Sequence, residues 1–133
     1  MSALPFLAEC VRGDIAAQHG IDAVVCAANA RLTSGAVHTV GPVYGRDEPA
    51  AGLLASCYRR SLELADRAGL ESVAFPAIST GVFGYPLDEA ARVSIAAVLD
   101  AAPSLRSVRR VRFVLWAERD LRVFSETLAL LKR

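Results

Sequence analysis

Apolar and polar positions along the chain change period several times, and each change marks an element boundary. Leu4 to Val11 reads as a first strand, closed by the turn-forming run Arg12-Gly13-Asp14-Ile15. Ile15 to His19 reads as a short helix with Asp14 as its N-cap, a carboxylate placed to accept otherwise unpaired N–H groups. Ala23 to Ala28 is a continuous apolar run of the kind buried on both faces of a sheet, and it ends at Asn29. A polar connection, Arg31 to Gly35, precedes a third strand over Ala36 to Val40, which Gly41-Pro42 terminates.

From here the period lengthens. After the polar loop Gly45 to Glu48, Pro49 opens an amphipathic helix to about Ala68. Ala50, Leu53, Leu54, Cys57, Ser61, Leu64, Ala65 and Ala68 share its expected apolar face, and Gly69 follows as the residue that ends it. Ser72 to Ile78 is a fourth strand, with Pro76 interrupting its ladder near the end. A second helix starts at Pro86 and buries Leu87, Ala90, Ala91, Ser94, Ile95 and Val98 before Pro103 stops it. Arg109 to Trp116 is the last strand, and Glu118 to Arg133 the last helix, burying Leu121, Phe124, Leu128 and Leu131. Three strands in succession followed by alternating helices and strands predict an α/β domain, with a mixed sheet and helices on both faces.

In such sheets ligands collect outside the carboxyl ends of the strands. Asp14, Asn29, Ser79 to Phe83 and Trp116 all follow predicted strands, so distant parts of the chain can meet at one crevice. The run Ala77-Ile78-Ser79-Thr80-Gly81-Val82-Phe83-Gly84-Tyr85-Pro86 carries the clearest chemistry. Its glycines let the backbone turn and approach a ligand closely, and the following helix offers the positive end of its dipole to a phosphate. The same run also fits a ligand-free strand-to-helix connection. Asp14 equally fits a purely capping role, Asn29 a loop-satisfying amide and Trp116 a core aromatic. His38 and His19, with no acidic or cysteine partner near in sequence, read as structural.

Composition narrows the class. A chain of 133 residues, 53% hydrophobic, has the size and apolar content of one folded domain spanning 1–133. Its 15 Lys+Arg nearly balance 14 Asp+Glu, so charge alone gives no footprint for nucleic acid. Cys10, Cys26 and Cys57 are odd in number and widely spaced, which suits reduced thiols in a cytoplasmic protein and implies neither disulfides, a metal nor a cofactor. No apolar stretch is long enough for a membrane span.

Four motifs in order resemble the macrodomain family: Gly13-Asp14-Ile15, Ala27-Ala28-Asn29, His38-Thr39-Val40-Gly41-Pro42, and Ala74-Phe75-Pro76 running through to Pro86. The resemblance implies a three-layer α/β/α macrodomain-like fold that binds ADP-ribose, and many members remove ADP-ribose from proteins or deacetylate its acetylated form. Carried over by position, it implies that Asp14 accepts a hydrogen bond from the adenine amino group, with the Ile15 backbone nearby. Ser79, Thr80, Gly81, Val82 and Phe83 would hold the diphosphate, Phe83 also lying against the distal ribose. Asn29 would face that ribose as the one catalytic candidate, and Trp116 would border the adenine.

Two departures from the family pattern bear on activity. Cys26 stands where an asparagine is common, exchanging an amide for a group that cannot replace its hydrogen bonds. Only Ala30 to Val37 separates Asn29 from His38, where catalytically active members carry a glycine-rich loop, a helix and a further strand. Asn29 can orient a water but is no base at neutral pH, so binding of ADP-ribose or its derivatives is the leading expectation. Hydrolysis of O-acetyl-ADP-ribose or of mono-ADP-ribosylated protein is the alternative. A second alternative is an interaction module that binds no ligand, with a homo-oligomer covering exposed sheet surface.

Overall fold

The structure is a computed structural model and describes residues 6–26, 36–38, 44–80 and 84–132. Five strands, β1 (Leu7–Arg12), β2 (Ala23–Cys26), β3 (Ala36–His38), β4 (Ser72–Phe75) and β5 (Arg110–Leu115), form one sheet in the order β1-β5-β4-β2-β3. Three helices, α1 (Ala50–Arg67), α2 (Leu87–Ala101) and α3 (Glu118–Leu131), complete the α/β architecture.

All four strand pairs among the described residues are parallel, where the sequence pattern suggested a mixed sheet. The reason is in the connections. The helices α1 and α2, which join β3 to β4 and β4 to β5, carry the chain back to the end of the sheet where the previous strand began, and the turns between β1 and β2 do the same without a helix. The short helix expected over Ile15 to His19 does not form: this segment is a series of turns. Likewise β4 stops at Phe75, so Pro76 ends the strand instead of interrupting it.

Parallel strands covered by helices are apolar, and β4 is buried at all four positions. Register places Phe75 beside Phe113 and Val73 beside Val111, on the face toward the helices. Phe113 meets both Tyr58 of α1, at 6.1 Å between ring centres, and Phe124 of α3, at 5.6 Å. These two helices therefore lie on the same side of the sheet, with α2 packed between them. Of the three layers expected, the described residues form two.

The buried stripe of α1 runs through Ala50, Leu54, Cys57, Tyr58, Ser61, Leu62 and Ala65. Leu53 and Leu64, assigned to it from periodicity, are 41% and 52% exposed and Ala68 is exposed as well, while Tyr58 and Leu62 are fully buried. The helix ends as expected at Gly69, whose φ is +77°. The N–H groups of Gly69 and Leu70 bond the carbonyls of Asp66 and Ala65 at 3.0 Å, a Schellman motif. Asp66 then ties this helix end to the start of β5, accepting from the backbone N–H groups of Arg106, Ser107 and Val108 at 2.6–3.1 Å.

The other side of the sheet at β1 and β5 is charged. Glu9 Oε2 accepts from Arg112 Nε at 2.7 Å and Arg110 Nε at 3.0 Å. Arg112 reaches on to Gln18 Oε1 and the His19 carbonyl, fastening the turns of residues 13–22 over this side. At their far end Asp22 accepts from the Glu71 N–H, and its own N–H donates to Ser72 Oγ.

Candidate nucleotide-binding site

The connection after β4 is built around a buried tyrosine. Tyr58 Oη donates to the Pro76 carbonyl at 3.1 Å and accepts from the Ile78 N–H at 3.3 Å. Burial pushes its pKa up to about 12, so the hydroxyl keeps the proton it donates. The Ala77 carbonyl accepts from Thr80 Oγ1 at 2.9 Å, and the Ser79 carbonyl accepts from the Tyr85 N–H at 2.9 Å.

Ser79 is held in the left-handed region, at φ +68°, which non-glycine residues rarely adopt outside tight functional turns. Its hydroxyl oxygen is buried and has no hydrogen-bond partner among the described residues. Two unfavourable features thus coincide at the residue where the predicted phosphate loop begins. Gly81, Val82 and Phe83 lie outside the described residues. Gly84 leaves the loop at φ +72°, and α2 begins with Asp88 and Glu89 in its first turn. Those carboxylates offset part of the positive helix end expected to favour phosphate.

The turn after β1 is held beside β5 by the Gly13 N–H, which donates to the Leu115 carbonyl at 2.9 Å. Asp14 Oδ1 accepts from the Ala16 N–H at 2.9 Å, an Asx turn instead of the expected helix cap. The Asp14 carbonyl accepts from the Ala17 N–H and from Gln18 Nε2. Oδ2 has no hydrogen-bond donor among the described residues.

These two connections and the end of β5 enclose a cavity of about 270 Å³. It is lined by Gly13, Asp14, Ile15, Pro76, Ala77, Thr80, Val114, Trp116 and Asp120. Asp14, Ile15, Thr80 and Trp116, chosen from the sequence, therefore share one cavity. Trp116 is 75% exposed, which removes the core alternative and leaves an aromatic surface at the cavity's edge. Ser79 is next to Thr80 but does not line the cavity. Asn29, the catalytic candidate, lies outside the described residues. Asp120 was missed in sequence: an acidic residue in a helix's first turn reads as a partner for the helix dipole. Its spacing from Trp116, four residues on, is the signal that could have found it.

Other features offer less chemistry. A groove of about 690 Å³ lies on the outer surface of α1 and α2, lined mainly by alanines and scattered charges such as Arg59 and Asp100. Burial pushes the Cys10 thiol up to about 11, which makes it a poor nucleophile near neutral pH. Among the described residues no group of three or more His, Cys, Asp or Glu could hold a metal, and no helix is long and apolar enough to cross a membrane.

Comparison with known proteins identifies the family. A macro domain family model matches residues 6–94. A macro domain-containing protein of Streptomyces coelicolor is 50% identical over 92 residues, covering 69% of this chain and 53% of its own length. An O-acetyl-ADP-ribose deacetylase of Klebsiella pneumoniae is 41% identical over 108 residues, covering 80% of this chain and 62% of its own. The chain thus spans a little over half the length of these relatives. Among solved structures, the Oceanobacillus iheyensis macrodomain with MES bound superposes with a TM-score of 0.84 at 29% identity, over 92% of this chain and 90% of that one. The same macrodomain with ADP gives 0.70 at 40% identity, over 73% of this chain and 51% of that one. With matches from β1 into α2 in sequence and across the sheet in structure, the chain belongs to the macro domain family.

Proposed function

We propose that this chain binds ADP-ribose, or a derivative of it, in the crevice at the carboxyl ends of β1, β4 and β5. The observation that carries this reading is the convergence of Asp14, Ile15, Thr80 and Trp116 on one cavity. Asp14 supplies an acceptor for an exocyclic amino group, and Trp116 a face against which a base can stack. The loop that starts at the strained Ser79 leads from this cavity to the diphosphate, held by Ser79 to Phe83, with Asn29 at the distal ribose. Macrodomains solved with ADP and with ADP-ribose support this ligand class. The test is titration of ADP-ribose by calorimetry together with the emission of Trp116, the single tryptophan. A saturable, coincident response is expected, and no heat or spectral change at millimolar ligand would sink the reading.

Hydrolysis is the second reading, favoured by the similarity to an O-acetyl-ADP-ribose deacetylase. It needs a positioned water and a group able to stabilise charge or move a proton at the distal ribose. Asp14, whose place is at the base, is too remote to serve, and the short link between Asn29 and His38 leaves little room for another group. Binding without turnover is therefore the primary reading. Release of acetate from O-acetyl-ADP-ribose that disappears in Asn29→Ala would reverse that order.

A further inference from the structure

The cavity that takes the nucleoside end of the ligand carries a second carboxylate. Asp120 stands in the first turn of α3 and lines the same space as Asp14 and Trp116. Its ordinary explanation is the helix dipole, but Glu118 of the same turn is exposed and suffices for that. Asp120 is half-buried, and the described residues give it no hydrogen bond or ion pair. Among the described residues no Lys, Arg or His lines the cavity. Arg12 comes close to Trp116, but its Nε donates to the Trp116 carbonyl and its side chain is not part of the wall.

The wall therefore offers acceptors and repels negative charge. Free ribose hydroxyls donate hydrogen bonds to such a wall. A phosphate monoester on the same ribose brings up to about two negative charges and three more acceptors, which the wall cannot pair. An acidic group at a ribose hydroxyl, where a cation would instead admit a phosphate, is a general means of making this choice. We infer that Asp120 is a specificity-determining residue: it selects ADP-ribose whose adenosine ribose carries free hydroxyls over the same nucleotide with a phosphate monoester on that ribose. This rests on the binding function proposed above.

The experiment titrates ADP-ribose and 2′-phospho-ADP-ribose by calorimetry into the wild type, Asp120→Asn, Asp120→Ala and the control Glu118→Gln. The wild type should prefer ADP-ribose, and both Asp120 variants should reduce that preference by about tenfold, equivalent to about 1.4 kcal/mol. The change should come chiefly from tighter binding of the phosphorylated ligand, with Glu118→Gln leaving the ratio as it was. A wild type that binds the two ligands equally overturns the inference, as does an unchanged ratio in whichever Asp120 variant retains its circular dichroism. Either result leaves ADP-ribose binding itself standing. Binding of neither ligand by the wild type rejects the binding reading and this inference together.

Discussion

Asp14 and Ser79 carry the most specific consequences at the scale of single residues. Removing the Asp14 carboxylate in Asp14→Ala should weaken ADP-ribose tenfold to a hundredfold, since a hydrogen bond to a charged group contributes about 1.5–3 kcal/mol. Inorganic diphosphate should bind as before, and equal weakening of both ligands would reject the assignment at the base. Ser79 combines a left-handed φ with a buried hydroxyl that has no hydrogen-bond partner among the described residues. Ser79→Gly should raise stability by about 1 kcal/mol in urea unfolding while lowering affinity for ADP-ribose. A destabilised variant would show that the turn is not strained. Asp14 and Trp116 were legible because polar or aromatic residues just after strands have few structural duties. Which duty each performs was not legible: the sequence left Trp116 open between core and cavity, and only its exposure decides.

At the scale of elements, the site depends on how α1 holds the connection after β4. Tyr58→Phe removes the donor to Pro76 and leaves the Ile78 N–H without its buried partner. It should cost about 1–3 kcal/mol of stability and weaken ADP-ribose with little effect on adenosine. An unchanged diphosphate contribution would mean that the loop holds its shape without the tyrosine. Nothing in the sequence pointed to this role, because Tyr58 fell off the stripe drawn through Leu53 and Leu64. Spacing fixes the period of an amphipathic helix but only loosely its phase when leucines flank both sides of the true face. The stripe of α2 was read more closely: Ala90, Ala91, Ser94, Ile95 and Val98 are buried as expected, while Leu87 is only partly buried and Ala97 joins the buried face. The strands were located from their apolar runs, but their direction was not: it is set by the connections, and the turns of residues 13–22 replace a helix that Asp14 suggested.

Over the whole molecule, two carboxylates far apart in sequence tie the fold together from opposite sides of the sheet. Burial acts to raise the pKa of Asp66, but the N–H groups of Val108, Arg106 and Ser107 outweigh it and hold the carboxyl below its ordinary range. Glu9 behaves alike: burial raises its pKa, and hydrogen bonds and charge from Arg112 and Arg110 bring it down further. A carboxyl depressed in the folded state contributes stability that is complete above its unfolded value and fades as pH falls through the folded one. Thermal stability should therefore decline below about pH 4, the ordinary carboxylate range, and the decline should flatten in Asp66→Asn combined with Glu9→Gln. An acid limb of unchanged slope would assign acid unfolding to other groups. The charged network on the side of β1 and β5 away from the helices also bears on assembly. A surface of paired Glu9, Arg110 and Arg112 is a poorer template for self-association than the apolar one anticipated from the short link after Asn29. A homo-oligomer in sedimentation would have to use another surface or leave these pairs intact.

All of these scales meet in the ligand. The most direct measurement is the titration of ADP-ribose followed at once by heat and by Trp116 emission, in the wild type and in Asp14→Ala. Binding at one site is expected, with both signals saturating together and the affinity reduced in the variant. A wild type that gives neither heat nor spectral change at millimolar ADP-ribose would contradict the account at its centre.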